Sequence, residues 1–104
     1  PTRVENVLAI QPGTSDPARI IIMSAHIDSR NSDALDASGD APGANDDGSG
    51  TAAVLEAARV LSTQTFPATI VYALLSGEEQ GLHGGKILAD FARQHGWQVE
   101  AVLN

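Results

Sequence analysis

At 104 residues, 42% hydrophobic and 18% charged, the chain has the size and composition of one soluble domain with a single modest core. A formal net charge of −7 argues against a nucleic-acid partner, because little is present to neutralise phosphates. The absence of cysteine excludes disulfides, thiolate zinc sites and a cysteine nucleophile.

Only Phe66, Tyr72, Phe91 and Trp97 are aromatic, so the core must be mostly Ala, Val, Ile and Leu. No apolar run reaches the ~20 residues of a bilayer span, so no membrane partner is expected. A start at Pro1, with neither Met nor a charged-then-apolar leader, points to a processed or excised piece of a longer protein.

Val4 to Gln11 alternates weakly and reads as a strand. The turn formers of Pro12-Gly13-Thr14-Ser15-Asp16-Pro17 follow, then Arg19 to Ala25, an apolar run of strand length suited to burial on both faces. Strand, tight turn, strand predicts an antiparallel hairpin. Ser29 to Ala44 lacks apolar periodicity and reads as a long surface loop, of the kind that often lines a site.

From Gly50 to about Thr63 the apolar residues Val54, Ala57, Ala58 and Leu61 fall at helical spacing. Ser49 is the expected N-cap, with Asp46 and Asp47 at the positive end of the helix dipole. Ala68 to Leu75 is a second buried strand. After a glycine-punctuated loop, Gly77 to Gly85, a second helix is predicted from about Gly84 to His95. Its expected inner face is Ile87, Leu88 and Phe91, and Gly96 is its expected cap. Val99 to Leu103 starts a further strand. This alternation predicts an α/β fold with a mostly parallel sheet.

Three clusters then fall on one edge of that sheet, where ligands of open α/β sheets collect. His26-Ile27-Asp28 closes one buried strand, and Glu78-Glu79 follows the other. Asp46-Asp47 precedes the helix between them. In His26-Ile27-Asp28 the carboxylate could accept a hydrogen bond from the ring nitrogen not on a metal. An aspartate among glycines can bridge two cations. Adjacent glutamates point differently, so one can bind metal while its neighbour faces a water. Alone, the first could be a strand-end histidine bonded to backbone, the aspartates an acidic turn capping a helix, and the glutamates a solvated pair; together they point to a metal site.

The ordered motifs His-x-Asp, Gly-Ala-Asn-Asp-Asp-Gly-Ser-Gly and Ser-Gly-Glu-Glu-x-Gly-Leu-x-Gly closely resemble metallopeptidase family 28. These are the co-catalytic zinc aminopeptidases of the bacterial leucyl type. The resemblance runs from about Arg19 to Asn104. It implies a three-layer α/β/α zinc-exopeptidase (phosphorylase/hydrolase-like) fold, of which residues 1–104 would be the N-terminal part of the catalytic domain. It implies two zinc ions, with His26 on one, Glu79 on the other and Asp46 bridging. Glu78 is then the implied general base and Asp28 the partner that orients His26. A cis peptide between Asp46 and Asp47 is implied as well. The implied substrate is a peptide with a free N-terminus, and the family favours a secreted or periplasmic location.

One departure matters. In the family each zinc takes one more protein ligand, an Asp just after the next strand and a later His, and neither His83 nor His95 matches the latter. As read, each ion has two of three protein ligands, so the isolated chain is expected to be inactive. A glutaminyl cyclase-like enzyme with one zinc is an alternative, although paired aspartates favour two metals. The dipeptidase and deacylase branch matches the middle motif less well. A non-catalytic module keeping the fold is the remaining reading. An unpaired sheet edge is expected to promote self-association.

Overall fold

The computed structural model describes residues 3–104. In chain order they form β1 (Val7–Gln11), β2 (Asp16–His26), α1 (Gly48–Leu61), β3 (Ala68–Leu75), α2 (His83–Gln94) and β4 (Gln98–Leu103). The strands make one mixed sheet in the order β1-β3-β2-β4. β2 runs parallel to β3 and β4, and β1 is antiparallel to β3.

Strand alternation sorts the apolar side chains onto two faces, each covered by one helix. Ile20, Ile22, Val71 and Ala73 pack with Leu88 of α2, flanked by Leu8, Leu75 and Trp97. Ala25, Ile70 and Tyr72 pack with Val54 of α1, and Met23, Ala57, Ala58 and Leu61 join them. The expected three-layer α/β/α plan with a mostly parallel sheet is the one adopted. Val71, at the centre, is fully buried.

The predicted hairpin does not form. β3 lies between the first two strands, pairing with β1 through Val7–Leu74 to Gln11–Ile70 and with β2 through Ile21–Ile70 to His26–Leu75. Residues 12–15 cross over the start of β3 instead of folding back directly. Thr14 N donates to Phe66 O and Asp16 N to Pro67 O, while Gly13 N donates to Thr69 Oγ1. A side chain at Gly13 would collide with the Pro67 carbonyl. Both predicted inner strands are apolar on two faces, and this insertion places them side by side at the sheet's centre.

Two details of the helices differ from expectation. Asp47, not Ser49, caps α1, accepting from Gly50 N at 3.0 Å, while Ser49 Oγ donates to Asn45 O. In α2 the buried stripe is Gly84, Leu88 and Ala92, spaced four apart, and Ile87 and Phe91 are exposed. Phe91 stacks on His95 instead, with ring centroids 3.9 Å apart, and meets the edge of Trp97. Gly96 follows the last turn with φ +65° and lets Trp97 N donate to Ala92 O. His95 Nδ1 donates to the Phe91 carbonyl at 2.9 Å, a contact at the helix end.

Among the described residues no helix is long and apolar enough to cross a membrane.

Candidate metal centre

Parallel pairing ends β2 and β3 at the same edge, with His26 beside Leu75 in register. The residues just beyond both strands therefore emerge together, which brings His26 and Asp28 to Glu78 and Glu79. α1 is anchored at this edge too, because Thr51 Oγ1 donates to His26 O at 2.9 Å. The three predicted clusters do share one edge.

Asp46 and Asp47, joined by a cis peptide as the resemblance implies, are placed in opposite situations. Both oxygens of Asp47 are committed to backbone, Oδ1 accepting from Gly50 N and Oδ2 from His26 N. A β-carbon at Gly50 would collide with Asp47 Oδ1, so a side chain there would have to displace the capping carboxylate. Asp46, by contrast, has a side chain 76% exposed that reaches, among the described residues, only His26, its Oδ1 standing 3.0 Å from Nε2. One aspartate builds the helix start; its neighbour remains available to a ligand.

The ring of His26 is held from one side. A carbonyl can only accept, so Nδ1 carries a proton and donates to Asp28 O at 3.0 Å. The orienting acceptor is thus the Asp28 backbone, while the nearer carboxylate oxygen, expected to serve that role, lies 3.7 Å from Nδ1. In the neutral ring Nε2 then presents a lone pair to the Asp46 carboxylate, and two acceptors 3.0 Å apart repel unless a cation lies with them. Burial, the largest single effect, lowers the His26 pKa, but the Asp28 hydrogen bond and the charges of Glu78, Asp47 and Asp28 together outweigh it and raise the pKa.

The Asp28 carboxylate has other work. Oδ1 accepts from Glu78 N at 3.1 Å and Oδ2 from Glu79 N at 3.0 Å, so it grips the backbone of the glutamate pair. Glu78 Oε2 sits 3.9 Å from His26 Nε2. Glu79 turns the other way: its side chain is 12% exposed and Oε2 accepts from Arg30 Nε at 2.8 Å. Asn6 braces the same loop from a distant segment, Nδ2 donating to Gly84 O and Oδ1 accepting from Ser76 N. Sequence reading missed Asn6 and Arg30. Nothing local marks Asn6, but Arg30 is the one lysine or arginine between Arg19 and Arg59, in an acid-rich stretch, and that isolation is a usable signal.

The loop from residue 29 to 44 carries no helix or strand, as expected, yet it is ordered by its own side chains. Asp36 accepts from Ser38 N, Ser38 Oγ, Asn31 Nδ2 and Gly39 N, which holds its carboxyl well below the usual range. Ser29 Oγ donates to Ala41 O at 2.7 Å and draws the loop's ends together beside Asp46.

Two cavities meet at Asp46. The larger, about 620 Å³, includes His26, Asp46 and Glu78 in its lining. The other, about 370 Å³, includes Arg30, Asp46 and Glu79. Imidazole nitrogen and carboxylate oxygen are zinc donors, and donors on a tetrahedral zinc lie roughly 3.3 Å apart. The 3.0 Å between Nε2 and Oδ1 is near that edge length, so the pair fits the ion in kind. In number the set is short: among the described residues no three His, Asp or Glu side chains converge closely enough to hold one ion.

The sequence model of Peptidase family M28 matches residues 6–104. The chain belongs to this family. A probable zinc metalloprotease of Leptosphaeria maculans is 45% identical over 104 residues, covering 100% of this chain and 24% of its own length. Proteins of the same description from Pyrenophora tritici-repentis and Pyricularia oryzae are 47% and 45% identical, again over the whole chain, which matches 22% and 21% of them. This M28 chain therefore spans about a quarter or less of these relatives. The mixed sheet between two helices agrees with part of an M28 domain.

Proposed function

We propose that this chain is part of the catalytic domain of a zinc-dependent aminopeptidase, which hydrolyses N-terminal residues from peptides. In this reading His26 and Glu79 belong to two different zinc ions and Asp46 to both. The observation that carries it is Asp46: an exposed carboxylate common to two adjoining cavities, one containing His26 and the other Glu79. The family match and the relatives described as zinc metalloproteases support zinc as the metal.

Bound zinc supplies Lewis-acid polarisation of a peptide carbonyl and lowers the pKa of a water. The chain's own residues act on the protons and the positioning. Glu78 stands beside the His26–Asp46 pair with its backbone gripped by Asp28, so its carboxylate can take a proton from an attacking water and deliver it to the leaving amine. Asp28 acts through geometry, setting the direction of Glu78 and Glu79 through their amides and that of His26 through its carbonyl. The surplus of carboxylates at this edge suits a substrate's protonated α-amine, hence removal of terminal residues.

Calorimetric zinc titration of the full-length protein tests the ligand set. Asp46→Ala should abolish tight binding while leaving the fold intact, because Asp46 supports no backbone. Asp47→Ala should cost about 1 kcal/mol of stability through the lost cap. Glu78→Gln should keep zinc and lower the rate on aminoacyl substrates by about 10²–10⁴-fold. Zinc binding indifferent to Asp46→Ala would remove the bridging assignment. Turnover of N-terminally blocked peptides as fast as free ones would remove the aminopeptidase assignment.

A further inference from the structure

We propose that Arg30 is a positioning residue that acts as a built-in substitute for the metal at Glu79, holding that carboxylate when zinc is absent and opposing zinc when it binds. The inference rests on the reading of Glu79 as a zinc ligand given above. Glu79 is an acid with little access to water, its side chain 12% exposed, and such a charge is costly unless paired. Its partner is the Arg30 guanidinium, whose Nε donates to Oε2 at 2.8 Å. Arg30 reaches it from two residues beyond Asp28, and the Asp28 carboxylate in turn accepts from Glu79 N. The glutamate is thus held at its backbone by Asp28 and at its tip by Arg30.

Arg30 and Glu79 both help line the cavity that contains Asp46, so the guanidinium stands where a cation on Glu79 and Asp46 would feel it. It is the one basic side chain in that lining. Lys86 and His26 belong to the neighbouring cavity, where Lys86 Nζ donates to Gly81 O at 2.8 Å. Arg30 therefore affects the two states oppositely. Without metal it compensates a nearly buried carboxylate and stabilises the fold. With metal it is a like charge that competes for a ligand oxygen. A residue that only oriented Glu79 would help both states.

The distinguishing sign is read on full-length protein carrying Arg30→Gln. In EDTA its thermal midpoint should fall below wild type. By calorimetry it should bind zinc more tightly, on the order of tenfold, the equivalent of one charged hydrogen bond lost from the metal-free state alone. In saturating zinc the variant should melt level with or above wild type. Unchanged or weaker zinc binding overturns the proposal. Arg30→Lys is the second variant: it keeps the charge but loses the Nε–H contact, and zinc tighter than wild type but by less than in Arg30→Gln is expected. If Arg30→Gln does not fold, the Lys variant decides alone, tighter binding supporting the proposal and unchanged or weaker binding overturning it. Glu79→Gln separates the premise. Should it leave zinc affinity and stoichiometry untouched, Glu79 is no ligand and the reading beneath the proposal fails, whatever Arg30 does.

Discussion

His26 has two nitrogens in two electrostatic settings: Nδ1 faces a carbonyl, and Nε2 faces a carboxylate at 3.0 Å. In the proposed site zinc and a proton would compete for Nε2, which would give the residue opposite pH signatures in the two states. In metal-free protein the folded pKa is raised above 6.5. The stability it contributes is fully present below the unfolded value and is lost as pH rises through the folded value. Zinc requires the neutral ring, so its affinity should fall as pH drops below that same raised value. Denaturation in EDTA from about pH 5.5 to 8.5 should therefore show a decline for wild type that His26→Gln lacks. A wild-type profile parallel to the variant's would mean that the charges around His26 do not act as placed here. At this scale the Asp46-Asp47 pair is equally instructive. Two identical residues differ in what the backbone offers them: Asp47 has both oxygens engaged by amides, and Asp46 has neither.

At the scale of elements, the glutamate loop between β3 and α2 is the part on which the site depends, and it is pinned at several points. Asp28 holds its middle, and Asn6 bonds to Ser76 and Gly84 at its two ends. Gly84 is where these contacts crowd. A β-carbon there would lie 2.5 Å from Asn6 Oδ1 and 2.6 Å from Ser76 N and O, most of them backbone atoms that cannot yield. Gly84→Ala should cost about 1–3 kcal/mol by overpacking. It should also weaken zinc binding, because relief requires moving the loop that carries Glu78 and Glu79. Urea denaturation and zinc calorimetry on the same variant check both; a loss of stability with zinc binding untouched would show the loop's two halves to be independent.

At the scale of the molecule, β4 is the feature without cover. Its six residues are all exposed, and Val99, Val102 and Leu103 present 40%, 57% and 53% of their surface. Its outer edge pairs with no other strand among the described residues. The Cα radius of gyration of 14.8 Å exceeds the roughly 13 Å of a compact domain of this length, in keeping with an open edge. The 104-residue chain by itself should associate reversibly in sedimentation experiments, and Val102→Lys should shift it toward monomer by charging the edge. A monomer over the whole concentration range would count against edge pairing.

Much was legible from the chain alone, because it is written between near neighbours. Buried strands show as apolar runs, α1 shows as Val54, Ala57, Ala58 and Leu61 at helical spacing, and the acidic and imidazole clusters announce themselves by falling just beyond strands or before a helix. Those same local patterns established the parallel α/β plan and the shared edge. Tertiary structure decided what depends on partners far along the chain. It inserted β3 between β1 and β2, chose Gly84, Leu88 and Ala92 as the inner stripe of α2, and gave the cap of α1 to Asp47. It joined Arg30 to Glu79 across 49 residues and Asn6 to Gly84 across 78. Such contacts leave no periodicity to read, since they exist only after the chain has closed on itself and each buried polar group has found the nearest group able to satisfy it.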